Sequence, residues 1–119
     1  MAILMVALGG AAGSVLRYLL GLWVTRAVGE GFPWGTLLIN VAGSFIIGWL
    51  ATGARPDAVS LRLLLMVGFC GGFTTFSSFS LQTLELLQQG AWIAAWGNVL
   101  GSVTLCLAAT SAGWAIGRG

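Results

Sequence analysis

The sequence predicts an all-α membrane protein with four transmembrane helices, the third of which is interrupted near its middle. Of the 119 residues, 58% are hydrophobic and 7% are charged. Soluble domains carry about 25% charged residues, so this chain cannot cover a globule with polar surface. At about 20 residues for each span, the length fits four spans joined by short loops. We therefore expect a single four-span transmembrane domain over residues 1–119.

Four apolar segments, separated by short polar loops, define the predicted spans. Their limits are about Ala2 to Trp23, Pro33 to Thr52, Leu61 to Leu87, and Trp92 to Trp114. Pro33 suits the first position of a helix, where its missing N–H costs nothing. Tryptophans stand at the predicted span ends, where membrane interfaces concentrate aromatic rings: Trp23, Trp34, Trp92 and Trp114.

The arginines give a weak orientation signal. With four spans, both chain ends and the loop near residue 55 share one side of the membrane. Arg55, Arg62 and Arg118 lie on that side, and Arg26 lies on the other. This bias favours cytoplasmic termini. It is small enough to permit insertion in both orientations.

Composition also excludes several functions. The net charge of +2 is too small to indicate a nucleic-acid partner, and there is no histidine to serve as a metal ligand or proton shuttle. Cys70 and Cys106 both lie in apolar spans, where we interpret them as small apolar side chains rather than a disulfide.

The third span contains the most informative segment, Gly71-Gly72-Phe73-Thr74-Thr75. A helix in lipid must satisfy its backbone polar groups internally, and irregular backbone is tolerated only where it is buried in protein or lines a cavity. Two glycines followed by two threonines predict a helix break at this point. Exposed carbonyl oxygens at a break can coordinate a hard cation. Simple kinking is the alternative.

Spans two and four share a polar motif. It reads Asn40-Val41-Ala42-Gly43-Ser44 in the second span and Asn98-Val99-Leu100-Gly101-Ser102 in the fourth. Its first, fourth and fifth residues share one helix face. The glycines favour close helix packing. An amide in hydrocarbon is costly without partners, so the two asparagines instead suggest a polar path.

Phe76 and Phe79 share a helix face just after the predicted break, with Thr83 one turn further along. Ordinary packing would explain two phenylalanines. However, ring edges carry partial positive charge, and together with hydroxyls they can line an anion path without a formal charge. We therefore count Phe76, Phe79 and Thr83 as candidate pore residues. Arg17, inside span one, either snorkels to the interface or attracts anions to a pore mouth.

Three motifs together resemble one family. They are Gly9-Gly10-Ala11-Ala12-Gly13-Ser14 with Arg17-Tyr18, Gly35-Thr36-Leu37 with Asn40 and Gly43, and the segment Gly68 to Phe79. In this order, over nearly the whole chain, they closely resemble the Fluc (CrcB) family of fluoride channels.

This resemblance implies an antiparallel, dual-topology homodimer with two fluoride pores. Phe76 and Phe79 match the family's pore phenylalanines, Asn40 its pore amide, and Ser102 a polar position of its fourth span. Gly71 and Thr74 match positions whose backbone carbonyls hold a structural sodium ion, Na+, which is not transported. The chain departs from the family at Gln82, where relatives often have glutamate.

The expected function is a passive channel, not an enzyme, that exports fluoride across the plasma (inner) membrane of a bacterium. A small multidrug transporter is a second hypothesis, but it needs a membrane-embedded acid, and span one contains neither Asp nor Glu. A structural subunit of a larger membrane complex is a third hypothesis. It leaves the asparagines and the paired phenylalanines unexplained.

Overall fold

The computed structural model describes residues 1–119 and is entirely helical. Helix α1 spans Ala2–Val28 and α2 spans Trp34–Gly53. The third span consists of α3 (Val59–Arg62), a π-helical segment (Leu63–Cys70), α4 (Gly71–Phe73) and α5 (Phe76–Gln88). Helix α6 spans Trp92–Arg118. Four helices are long and apolar enough to cross a membrane, which confirms the prediction of a four-span, multi-pass membrane protein.

The helices extend beyond the predicted spans. Helix α1 continues past Trp23 to Val28, and α6 continues past Trp114 to Arg118. Hydropathy ends a span at its first polar residues, whereas backbone hydrogen bonding continues into the interface. Arg26 and Arg118 then lie in the last turns of their helices, where positive charge is favourable. Pro33 precedes the first residue of α2 instead of occupying it.

Two tightly packed helix pairs form the bundle, and glycines let the backbones of each pair touch. Helix α1 packs against the first half of the third span, and α2 packs against α6. A Cβ on Gly13 would overlap the Phe69 carbonyl, and one on Gly113 would overlap the Phe45 carbonyl. Small residues commonly permit such close approach in membranes. The motif glycines differ, because Gly43 is packed against Thr74 whereas Gly101 has open space around it.

The interruption of the third span lies at Thr74–Thr75, at the threonine end of the predicted segment Gly71–Thr75. Gly71 is helical, with φ −63° and ψ −38°. Thr74 and Thr75 are extended, with φ/ψ of −81°/158° and −149°/119°. β-Branched residues tolerate extended backbone well. Gly72 serves packing instead, because a Cβ there would lie 2.6 Å from the Gly10 carbonyl oxygen. The break was therefore predicted correctly, but it depends on the threonines.

Most of the bundle surface is apolar, as expected of a protein solvated by lipid. Only 15 of 119 residues are buried within one copy. The four tryptophans at the predicted span ends are all exposed: Trp23, Trp34, Trp92 and Trp114. Helix α5, beyond the break, packs mainly against α6. The position of its phenylalanines therefore depends on the break at one end and on α6 along its length.

Candidate functional site

The helix break is held by the side chain of Asn40, which reaches it from α2. Its Nδ2 donates to the Thr75 carbonyl at 2.9 Å, and its Oδ1 accepts from the Thr75 N–H at 2.8 Å. The amide therefore satisfies both backbone polar groups of Thr75. Each Asn side chain carries two N–H donors, and the second makes no hydrogen bond within the chain. Asn40 thus fixes the break and keeps one donor available.

Other side chains satisfy the neighbouring backbone groups. Arg17 Nε donates to the Gly72 carbonyl at 3.0 Å, across the contact between α1 and the third span. Thr74 Oγ1 donates to the Cys70 carbonyl at 2.9 Å, and Thr75 Oγ1 accepts from the Ser78 N–H as the N-cap of α5. Arg17 therefore stabilises the backbone next to the break, in addition to its predicted attraction of anions.

The backbone carbonyls of Gly71 and Thr74 have no partner among the hydrogen bonds made by loops, helix caps and side chains. The extended Thr74–Thr75 segment removes the donor that a continuous helix would supply to Gly71. Both residues border the same groove, and Gly71 is exposed. These oxygens are chemically suited to a small hard cation.

An uncharged groove of about 620 Å³ runs beside the break. It contains six of the eight residues predicted as sites: Asn40, Gly71, Thr74, Phe76, Phe79 and Ser102. No Asp, Glu, Lys or Arg lines it. Its polar groups are hydroxyls, one amide and backbone carbonyls, set among apolar side chains. The sequence-based prediction of a neutral polar path is consistent with this lining.

Phe76 and Phe79 lie side by side on the groove wall. Their ring centroids are 5.4 Å apart and their planes are tilted by 51°. A tilted arrangement directs part of a ring edge, with its positive partial charge, into the space beside the rings. Phe76 is 78% exposed, so nothing in a single copy packs over it. One wall of the groove is therefore open.

A second cavity, of about 750 Å³, lies between α1, the loop before α2, and α5. Arg17 lines it, and the two terminal nitrogens of its guanidinium make no hydrogen bond within the chain. The cavity is rich in hydroxyls and also contains Gln82, whose buried Oε1 has no partner. Glu30 and Glu85 add two acidic side chains to its lining. Thr75 borders both this cavity and the groove, so the two spaces approach each other at the break.

Thr83, the remaining predicted residue, lies in a hydrogen-bonded network and not in the groove lining. Its hydroxyl donates to the Phe79 carbonyl at 2.7 Å and accepts from Asn98 Nδ2 at 2.9 Å. Asn98 Oδ1 in turn accepts from Ser102 at 3.2 Å. Sequence reasoning noted Asn98 but did not select it as a site residue. The match between its motif and the motif of Asn40 was the sequence feature that could have identified Asn98 as a site residue.

We predict that Asn40→Leu strongly destabilises the fold. The change leaves the Thr75 N–H and C=O unpaired, and each unpaired group costs about 1–3 kcal/mol, giving about 2–6 kcal/mol in total. Thermal unfolding of purified protein in detergent measures this loss. Ser44→Ala, one turn along α2, is the matched control, because the Ser44 hydroxyl makes no hydrogen bond within the chain. Equal stability of the two variants would contradict a stabilising role for the two hydrogen bonds between Asn40 and Thr75.

Comparison with known proteins identifies the family. Residues 4–114 match the model of the family described as CrcB-like protein, Camphor Resistance (CrcB). A protein of Opitutus terrae named fluoride-specific ion channel FluC is 57% identical over 111 residues, covering 89% of this chain and 84% of the relative. A protein of Rhizobium etli with the same name is 52% identical over 118 residues, covering 97% and 94%. One from Paramagnetospirillum magneticum, also so named, is 56% identical over 110 residues, covering 88% and 86%. The predicted family is therefore confirmed, and the chain belongs to the CrcB family.

Proposed function

We propose that the protein is a passive, fluoride-selective channel that exports fluoride from a bacterial cell and lowers its cytoplasmic concentration. The observation that carries this function is the uncharged groove that contains Asn40, Phe76, Phe79 and Ser102. The names of the relatives, fluoride-specific ion channel, support the choice of ion. The chain is accordingly a transport protein and not an enzyme, and its membrane is the bacterial plasma membrane.

Fluoride is small and strongly hydrated, so a path for it must replace water with donors. The free N–H of Asn40, the hydroxyl of Ser102 and the edges of the two rings are the groups that we assign to this role. None carries a formal charge, which allows an anion to enter and also to leave. Thr83 contributes indirectly, because its hydrogen bond to the Phe79 carbonyl helps to hold Phe79 in position.

Arg17 supplies the vestibule of the proposed path. Its guanidinium borders the larger cavity and keeps its terminal nitrogens free. Its positive charge attracts an anion to the guanidinium itself, while Glu30 and Glu85 make the charged lining of the whole cavity net negative. To reach the groove, an anion in this cavity would have to pass Thr75, which lines both spaces. Gln82, in the same cavity, contributes no charge where the family often has a carboxylate.

A second copy, inserted antiparallel, completes the proposed site. One copy leaves Phe76 78% exposed and the groove open on one side, and it buries only 15 of its 119 residues. The weak arginine bias suits insertion in both orientations. An antiparallel homodimer would close two equivalent grooves, giving two pores.

We further propose that Na+ binds where the two copies meet, as a structural ion that is not transported. The carbonyls of Gly71 and Thr74 fit this role, because neither accepts a hydrogen bond and both border the open groove. Carbonyl oxygen is a hard ligand suited to such a cation. When bound, the ion would supply a positive charge that links the carbonyls of both copies.

The central test is fluoride efflux from liposomes that contain only this protein. We expect fluoride to flow down its electrochemical gradient, followed with a fluoride electrode, while chloride in matched vesicles stays inside. Protein-free liposomes give the baseline. Strict dependence of the flux on a proton or sodium gradient would contradict a channel and favour a coupled transporter.

We predict that Phe76→Ile and Phe79→Ile each reduce fluoride efflux while assembly persists. Isoleucine keeps the apolar bulk but removes the ring edge and its positive partial charge, so fluoride flux should fall steeply. Size-exclusion chromatography checks assembly beside the liposome assay. Phe69→Ile is the matched control, since Phe69 stacks on Phe73 and does not line the groove. Normal flux through both pore variants would mean that the rings only pack.

Removal of sodium should weaken the dimer. We expect exhaustive replacement of Na+ by a bulky organic cation to lower both the dimer fraction and the fluoride flux. Gly71→Val should do the same, because a Cβ at Gly71 meets no atom within 4 Å in one copy and the added side chain would extend toward the second copy. Thr74→Ser, which keeps the backbone carbonyl, is the control. Full dimerisation and flux both without sodium and in Gly71→Val would exclude the sodium site.

A further inference from the structure

Asn98 is the most completely buried polar side chain of the protein and lies behind the groove. It is 2% exposed and lines neither the groove nor the larger cavity. Its amide connects Thr83 on α5 to Ser102 on α6. Of these three residues only Ser102 borders the groove. Asn98 can therefore act on a bound anion through the hydroxyl of Ser102, and through Thr83 it can act only by positioning Phe79.

The hydrogen bonds of this network determine where each hydroxyl proton points. A serine or threonine hydroxyl has one proton and two lone pairs. The proton of Thr83 goes to the Phe79 carbonyl at 2.7 Å. The proton of Ser102 goes to Asn98 Oδ1 at 3.2 Å. In this arrangement Ser102 offers the groove lone pairs, which repel an anion, and its only donor is occupied.

The bond from Ser102 to Asn98 is the weakest of the network. Its length of 3.2 Å exceeds the 2.7 Å and 2.9 Å of the other two bonds. Hydroxyl donors usually approach oxygen acceptors to about 2.7–2.8 Å. A hydrogen bond to an ionised acceptor is shorter and stronger. An anion beside Ser102 would therefore attract its proton away from Asn98.

We propose that Asn98 is a positioning residue that competes with fluoride for the hydroxyl proton of Ser102. With the groove empty, Asn98 Oδ1 holds the proton; when fluoride arrives, the hydroxyl rotates and donates to it. As fluoride leaves, Asn98 reclaims the proton, so each fluoride is released readily. This inference rests on the proposed function, since it requires fluoride to pass Ser102.

The test is the fluoride dependence of efflux through Asn98→Leu, which removes the competing acceptor. Fluoride should then bind Ser102 more tightly and leave more slowly. We expect the half-saturating fluoride concentration and the maximal flux per assembled protein both to fall, by about two- to tenfold, the value of one hydrogen bond. General damage to the fold would lower the maximal flux alone. Adding Ser102→Ala to this variant should abolish the shift in half-saturation.

Ser111→Ala is the matched control on α6. The Ser111 hydroxyl is exposed and donates only to the Leu107 carbonyl of its own helix, so its loss should leave the half-saturating concentration unchanged. An assembled Asn98→Leu channel with the wild-type half-saturating concentration would overturn the inference. Absence of fluoride flux through the wild-type protein would instead overturn the proposed function, so the two failures are distinguishable.

If Asn98→Leu does not assemble, a measurement on the wild-type chain tests the role of Asn98 instead. Asn40 and Asn98 are the only asparagines, so ¹⁵N-asparagine labelling gives two side-chain amide signals. Carbonyl ¹³C labelling of isoleucine assigns them without a substitution, because Ile39 precedes Asn40 whereas Gly97 precedes Asn98. Fluoride should shift the Asn98 signal with the half-saturating concentration of the flux, and chloride should not. An Asn98 side-chain signal that does not shift when fluoride is added would overturn the inference.

Discussion

The paired hydrogen bonds between the Asn40 amide and the Thr75 backbone are the constraint on which the rest of the site depends. Within a bilayer, an unsatisfied backbone group costs several kcal/mol, which normally forbids extended backbone at that depth. One side chain on α2 satisfies both groups of Thr75, at 2.8 Å and 2.9 Å. This allows the third span to change direction and leaves the carbonyls of Gly71 and Thr74 unpaired beside the groove.

The same constraint positions α5. The first half of the third span is held against α1 by glycine contacts and by the bond from Arg17 to the Gly72 carbonyl. Beyond the break, α5 leaves that pair and packs mainly against α6. The hydrogen bond from Asn98 on α6 to Thr83 holds α5 in this position, and Thr83 in turn donates to the Phe79 carbonyl. Phe76 and Phe79 therefore lie between two polar anchors, one at the break and one along α6.

Sequence reasoning recovered the spans because hydropathy and interfacial tryptophans report directly on lipid contact. It placed the break within Gly71–Thr75 but could not divide its cause between the glycines and the threonines, since glycine signals both flexibility and close packing. Only the three-dimensional contact with Gly10 shows that Gly72 serves packing. Asn98 was underestimated for a related reason. Its burial depends on how α5 rotates after the break, and no local pattern encodes that rotation.

The separation of charge from the proposed path has a physical reason. A cation about 4 Å from a bound anion, at an effective dielectric constant of about 20, stabilises it by about 4 kcal/mol, which would slow its release about a thousandfold. No side chain of the groove lining supplies such a cation. Arg17 instead borders the neighbouring cavity, where its guanidinium can attract an anion without holding the ion in the groove. Within the groove, neutral donors must then provide the binding. The hydroxyl of Ser102, shared with Asn98, is a donor whose strength a neighbouring side chain can adjust.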